Sequence, residues 1–149
     1  MAKEAGADGF IIPDLPIEES EELRNACDEQ DLVLVQFITP NCSNARLEKI
    51  IKGAKGFLYA VSVLGITGAR DGVSEDAIEL IKRTKKITKL PVVIGFGISS
   101  EIQASQYVKA GADGVIIGSK IAKIYSRENK VEEVAEFCEA VKEKLQKSK

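Results

Sequence analysis

Apolar residues in this chain gather into short, nearly unbroken runs separated by longer stretches in which they recur at helical spacing. Five runs have strand character: Gly9–Pro13 (GFIIP), Leu32–Phe37 (LVLVQF), Phe57–Ser62 (FLYAVS), Pro91–Ile94 (PVVI) and Gly114–Ile117 (GVII). Their continuity, rather than a hydrophobic–polar alternation, predicts parallel strands. Amphipathic segments follow at Glu18–Gln30, Ser43–Lys52, Ser74–Lys86 and Ser99–Ala110, and a longer one at Lys130–Lys147 closes the chain. Most begin with a serine or an acidic residue able to cap a first helical turn. Strict alternation of strand and helix predicts an α/β fold with a parallel sheet.

An internal echo narrows the architecture. Ala5–Asp14 reads AGADGFIIPD and Ala110–Ser119 reads AGADGVIIGS, so helix end, glycine turn and apolar strand recur in one order. Repeated βα units of this kind predict a barrel, with an open doubly wound sheet as the alternative. A complete eightfold barrel takes about 250 residues. The expectation is therefore a single domain over residues 1–149 that forms part of a (β/α)8 barrel, five parallel βα units. Its first residues, Ala2–Ala5, read as the last turn of a helix with no strand before it. Open first and last strands would expose unpaired backbone, which predicts poor stability alone or self-association through these edges.

Composition excludes several classes of function. Net charge is −2 with both signs interspersed, giving no basic footprint for nucleic acid or an anionic membrane surface. No apolar run approaches the roughly 20 residues of a membrane span. Cys27, Cys42 and Cys138 are widely spaced and odd in number, which disfavours a disulfide framework or metal site and fits the cytoplasm. There is no histidine, so acid–base chemistry would fall to carboxylate, Lys, Tyr, Ser or Thr.

Candidate chemistry sits at the strand ends. The run Pro91–Ile94 leads into Gly95-Phe96-Gly97-Ile98-Ser99-Ser100, and Gly114–Ile117 leads into Gly118-Ser119-Lys120, each with a helical segment next. Glycine lets a phosphate approach backbone N–H groups, and a helix start adds free donors. In parallel barrels such a site is frequently built from the loops after the last two strands. The plain competing reading is a pair of tight turns. A third loop, Leu64–Gly72, carries three glycines and Thr67 and reads as a lid over a ligand or as an ordinary connection.

Taken together, GFIIPDLPIEES (Gly9–Ser20), YAVSVLGITGAR (Tyr59–Arg70), GFGISS (Gly95–Ser100) and GADGVIIGSKI (Gly111–Ile121) resemble the α subunit of tryptophan synthase. The resemblance implies the fourth to eighth strands of a (β/α)8 barrel, the C-terminal five-eighths. It implies retro-aldol cleavage of indole-3-glycerol phosphate to indole and glyceraldehyde 3-phosphate, with a β subunit as partner. Pyridoxal phosphate is expected only on that partner, and this chain is expected to hold no cofactor. Carried over by residue, Gly68, Gly97, Gly118 and Ser119 would bind phosphate, and Tyr59, Phe96 and Ile116 would line the pocket. Thr67 would sit on the lid, and Asp14 and Pro16 near the β-subunit interface. The family's catalytic glutamate and aspartate come from earlier strands, so none of the carboxylates here matches them. The chain is then expected to grip phosphate with little or no lyase activity. The alternative is a non-catalytic phosphate-binding or partner-binding half-barrel. Lys120 stands where the motif commonly has a small residue and reads as a solvated helix-face lysine, with an added cation for the phosphate site as the alternative. Asp8 and Asp113, shared by both copies of the echo, read as structural.

Overall fold

A computed structural model describes residues 1–62, 73–126 and 131–148. The strands are β1 Gly9–Ile11, β2 Val33–Ile38, β3 Leu58–Val61, β4 Val92–Gly95 and β5 Gly114–Val115. The helices are α1 Glu21–Glu29, α2 Asn44–Gly53, α3 Glu75–Lys85, α4 Glu101–Lys109, α5 Ser119–Tyr125 and α6 Val131–Gln146. All pairings are parallel and the spatial order is β1-β2-β3-β4-β5. A doubly wound sheet would reverse its order at a switch point. Strictly sequential order is that of a (β/α)8 barrel segment, so the open-sheet alternative is set aside.

Strand side chains alternate between the two faces, and the register makes one face a core. Ile38, Ala60, Ile94 and Val115 lie in one row, with Leu58 and Val92 in the next row but one. These residues pack with Leu47 and Ile50 of α2, Leu80 and Ile81 of α3, and Ala104 and Tyr107 of α4. Leu58, Ala60, Val92, Ile94, Leu80 and Ile81 are wholly inaccessible. The opposite face carries Val33, Phe37, Tyr59, Val61, Val93 and Gly95. A smaller cluster of Cys27, Leu32 and Leu34 secures α1 beneath β1 and β2.

Capping follows the serines. Ser43 Oγ accepts from the Arg46 N–H, Ser74 Oγ from Ala77, and Ser100 Oγ from Gln103, each at 3.3 Å. The sequence echo has a backbone cause. Gly6 and Gly111 have φ of +89° and +111°. Each donates three residues back, to Lys3 and Val108, and each following alanine donates five back, Ala7 to Ala2 and Ala112 to Tyr107. This is one helix-ending motif used twice, and glycine fits its left-handed position. Asp31, φ 52°, ends α1 with the same pair of bonds. The aspartates of the echo diverge. Asp113 Oδ2 accepts from Val92 N–H at 2.7 Å and Lys85 Nζ at 2.8 Å, whereas Asp8 contributes its carbonyl to the Val33 N–H.

Strand ends are shorter than the apolar runs. β5 stops at Val115, although the Ile116 N–H still reaches the Ile94 carbonyl at 2.8 Å. β1 stops at Ile11, which is 50% exposed, so the apolar run there is not fully covered. Because Leu58 is fully enclosed, Leu58→Ala should cost about 2–5 kcal/mol of unfolding free energy, measured as a lowered urea midpoint with unchanged slope.

Candidate phosphate site and family

Parallel pairing places the C-terminal ends of all five strands along one edge of the sheet. The turns after β4 and β5 are therefore neighbours, since Ile94 pairs with Val115. After Gly95 the chain enters a left-handed turn, with φ of +66° at Phe96 and +71° at Gly97. Such a value is unusual for an aromatic residue and needs support from its surroundings. Ser62, buried at the end of β3, supplies it. Its N–H donates to the Gly95 carbonyl at 3.0 Å and its hydroxyl donates to the Phe96 carbonyl. Among the described residues, the Gly97 N–H has no hydrogen-bond partner.

The two helix starts beyond these turns differ. The α4 start satisfies itself: Ser100 caps the Gln103 N–H, and Gln103 Oε1 accepts from the Ser99 N–H at 2.9 Å. This reciprocal arrangement leaves less donor capacity for a ligand than the sequence suggested. At α5 the cap is Gly118, which has no side chain to bond the helix donors. A Cβ built on Gly118 would meet nothing within 4 Å, and both Gly118 and Ser119 are exposed. Open space in front of uncapped donors suits an anion.

Aromatic side chains flank this edge on the sheet face away from the helices. Tyr59 stacks on Phe37 with centroids 4.7 Å apart and meets Phe96 at 5.7 Å in a tilted arrangement. Tyr59 is buried, and burial pushes its phenol above the ordinary tyrosine value. Phe96 remains half exposed and Ile116 partly buried. Gly95 is small for a packing reason: a Cβ there would fall on the Tyr59 hydroxyl and ring.

Tyr59 and Phe96 are thus in contact, and Gly97, Ile116, Gly118 and Ser119 follow the ends of the paired strands β4 and β5. Thr67 and Gly68 lie outside the described residues. Asp14 and Pro16 follow β1, at the far end of the strand order from β5, with Asp14 exposed. Lys120 is turned toward α6, its Nζ 5.7 Å from the centre of the Phe137 ring, in cation–π range. Two residues here, Phe37 and Ser62, are not among the candidate site residues to which the sequence motifs point. The period of two along β2 and β3 was the available signal for Phe37. Nothing local marked Ser62 beyond a hydroxyl at a strand end.

An apolar groove of about 190 Å³ between β5, α5 and α6, lined by Val115, Ile117, Ile121, Phe137, Cys138 and Val141, offers no polar side chain to a phosphate. Cys27 and Cys42 are buried free thiols, and burial pushes both above the usual range, as expected of packing residues. Among the described residues no helix is long and apolar enough to cross a membrane.

A family model described as tryptophan synthase alpha chain matches residues 1–149. The chain belongs to the tryptophan synthase alpha chain family. It is 49% identical over 120 residues to the tryptophan synthase alpha chain of Carboxydothermus hydrogenoformans, covering 80% of this chain and 45% of that one. Against the alpha chain of Methanocaldococcus jannaschii it is 47% identical over 125 residues, 84% of this chain and 44% of that one. A chain in the tryptophan synthase α2β2 complex of Pyrococcus furiosus superposes with a TM-score of 0.78 at 35% identity, covering 97% of this chain and 56% of that one. An Aquifex aeolicus structure gives 0.83 at 32% identity, covering 96% and 53%. The chain spans about half the length of the curated relatives it matches. Its five βα units are thus a partial barrel of this family.

Gly95→Ala overpacks against Tyr59. It should displace that ring from Phe37 and Phe96, change the near-ultraviolet tyrosine dichroism, and cost about 1–3 kcal/mol in urea unfolding.

Proposed function

We propose that this chain carries the phosphate-gripping half of a tryptophan synthase alpha-type active site. The reaction is retro-aldol cleavage of indole-3-glycerol phosphate in tryptophan biosynthesis. The observation that carries the reading is the meeting of two glycine turns at the ends of paired β4 and β5. One has a Gly97 N–H with no partner among the described residues, and the other an uncapped helix start at Gly118 and Ser119. Backbone donors of this kind stabilise a phosphate without a basic side chain, which fits Lys120 turning away. Gly68 and Thr67 complete the grip and the lid in this reading. Tyr59, Phe96 and Ile116 give the indole an apolar, aromatic wall beside the phosphate.

The acid and base are the part this chain does not supply. Proton removal needs carboxylates within hydrogen-bonding reach of the indole nitrogen and the glycerol hydroxyl. By the resemblance, the family's glutamate and aspartate come from earlier strands, and none of the carboxylates here stands for them. Each positioned acid or base is worth about 10²–10⁴-fold in rate, so the chain on its own binds substrate and turns it over poorly. A β subunit holding pyridoxal phosphate is the proposed partner, with Asp14 and Pro16 on the docking side. The α2β2 assembly of the P. furiosus relative supports this.

Calorimetric titration with indole-3-glycerol phosphate, with indole release assayed in parallel, tests the reading. Binding without turnover is expected. Turnover at the rate of a complete alpha chain would contradict the missing acid–base pair, and absence of binding by the folded chain would overturn the phosphate grip.

A further inference from the structure

We infer that Ser62 is a positioning residue for the phosphate, acting through the Phe96–Gly97 peptide; this rests on the phosphate site proposed above. Ser62 is 2% exposed and follows the last residue of β3. It takes two successive carbonyls of the β4 turn, Gly95 through its N–H and Phe96 through its hydroxyl. The peptide between Phe96 and Gly97 is planar and trans, so its N–H points opposite to its carbonyl. Tying the Phe96 carbonyl to Ser62 therefore turns the Gly97 N–H away from β3, where it has no partner among the described residues.

Among the described residues, two other buried hydroxyls bond locally, while that of Ser105 meets Ser148 Oγ at 2.8 Å. Ser20 Oγ donates to the Ile17 carbonyl at 3.0 Å and Thr84 Oγ1 to Leu80 at 2.7 Å, three and four residues back. Such bonds satisfy a hydroxyl without organising anything distant. Ser62 instead reaches across to the adjacent strand's turn and holds an aromatic residue in the left-handed region. Without that bond the peptide is free to rotate, and the Gly97 donor loses its fixed aim. Pre-set donors of this kind gain their strength from not having to reorganise when the anion arrives.

The test compares the parent chain with Ser62→Ala, Ser62→Cys and Ser62→Thr, using glycerol 3-phosphate as the calorimetric probe and circular dichroism to confirm the fold. Alanine and the near-isosteric, weakly donating cysteine should each weaken binding about tenfold at unchanged dichroism, equivalent to about 1.4 kcal/mol. Threonine, which keeps the hydroxyl, should bind within about threefold of the parent. If alanine unfolds the chain, the cysteine variant carries the comparison. Parent-like affinity in a folded alanine or cysteine variant overturns the role of Ser62 and leaves the phosphate site standing. A folded parent that does not bind the probe overturns the site, and this role with it.

Discussion

The register between β3 and β4 is the constraint on which the rest depends. Leu58, Ala60, Val92 and Ile94 are wholly enclosed between sheet and helices. A strand's side chains alternate with a period of two, so a slip of one residue would turn the slipped strand's enclosed pair to the other face. Their burial therefore dictates what the other face shows: Tyr59, Val61, Val93 and Gly95. It also dictates where each strand ends, and so where the turn beyond it begins. The proposed site is in this sense a by-product of the core beneath it.

From that register the chemistry follows by small steps. Ser62, the residue after β3, comes level with the carbonyls that leave β4. Gly95 is bare because Tyr59 occupies the space above it. Phe96 can hold a left-handed conformation because its carbonyl is claimed, and the Gly97 donor that follows has no partner among the described residues. One strand further, Gly118 opens α5 without a cap. None of these features requires a charged side chain, which is consistent with a site that meets a phosphate by backbone alone.

Much of this was legible in the sequence, because parallel strands and capped helices leave strong local signatures. The five apolar runs and the serines before α2, α3 and α4 marked their elements within a few residues. The echo in Ala5–Asp14 and Ala110–Ser119 has a backbone explanation in Gly6 and Gly111. What sequence left hidden was whatever depends on contacts between strands. The pairing of Ser62 with Phe96 spans 34 residues, and the self-satisfied start of α4 depends on how Gln103 turns back. Lys120 likewise chose between solvent, phosphate and ring only once α6 was in place. Strand order, the fact that separates a barrel segment from a doubly wound sheet, is also a property of pairing rather than of pattern.

The central claim is that two adjacent glycine turns form one phosphate site. Nuclear magnetic resonance of the ¹⁵N-labelled chain during titration with glycerol 3-phosphate tests it most directly. The account predicts saturable shifts that converge on the Gly97, Gly118 and Ser119 amides, with a common dissociation constant. Shifts confined to the C-terminal end of α6, where Lys142 and Lys144 lie, or to one turn without the other, would contradict it.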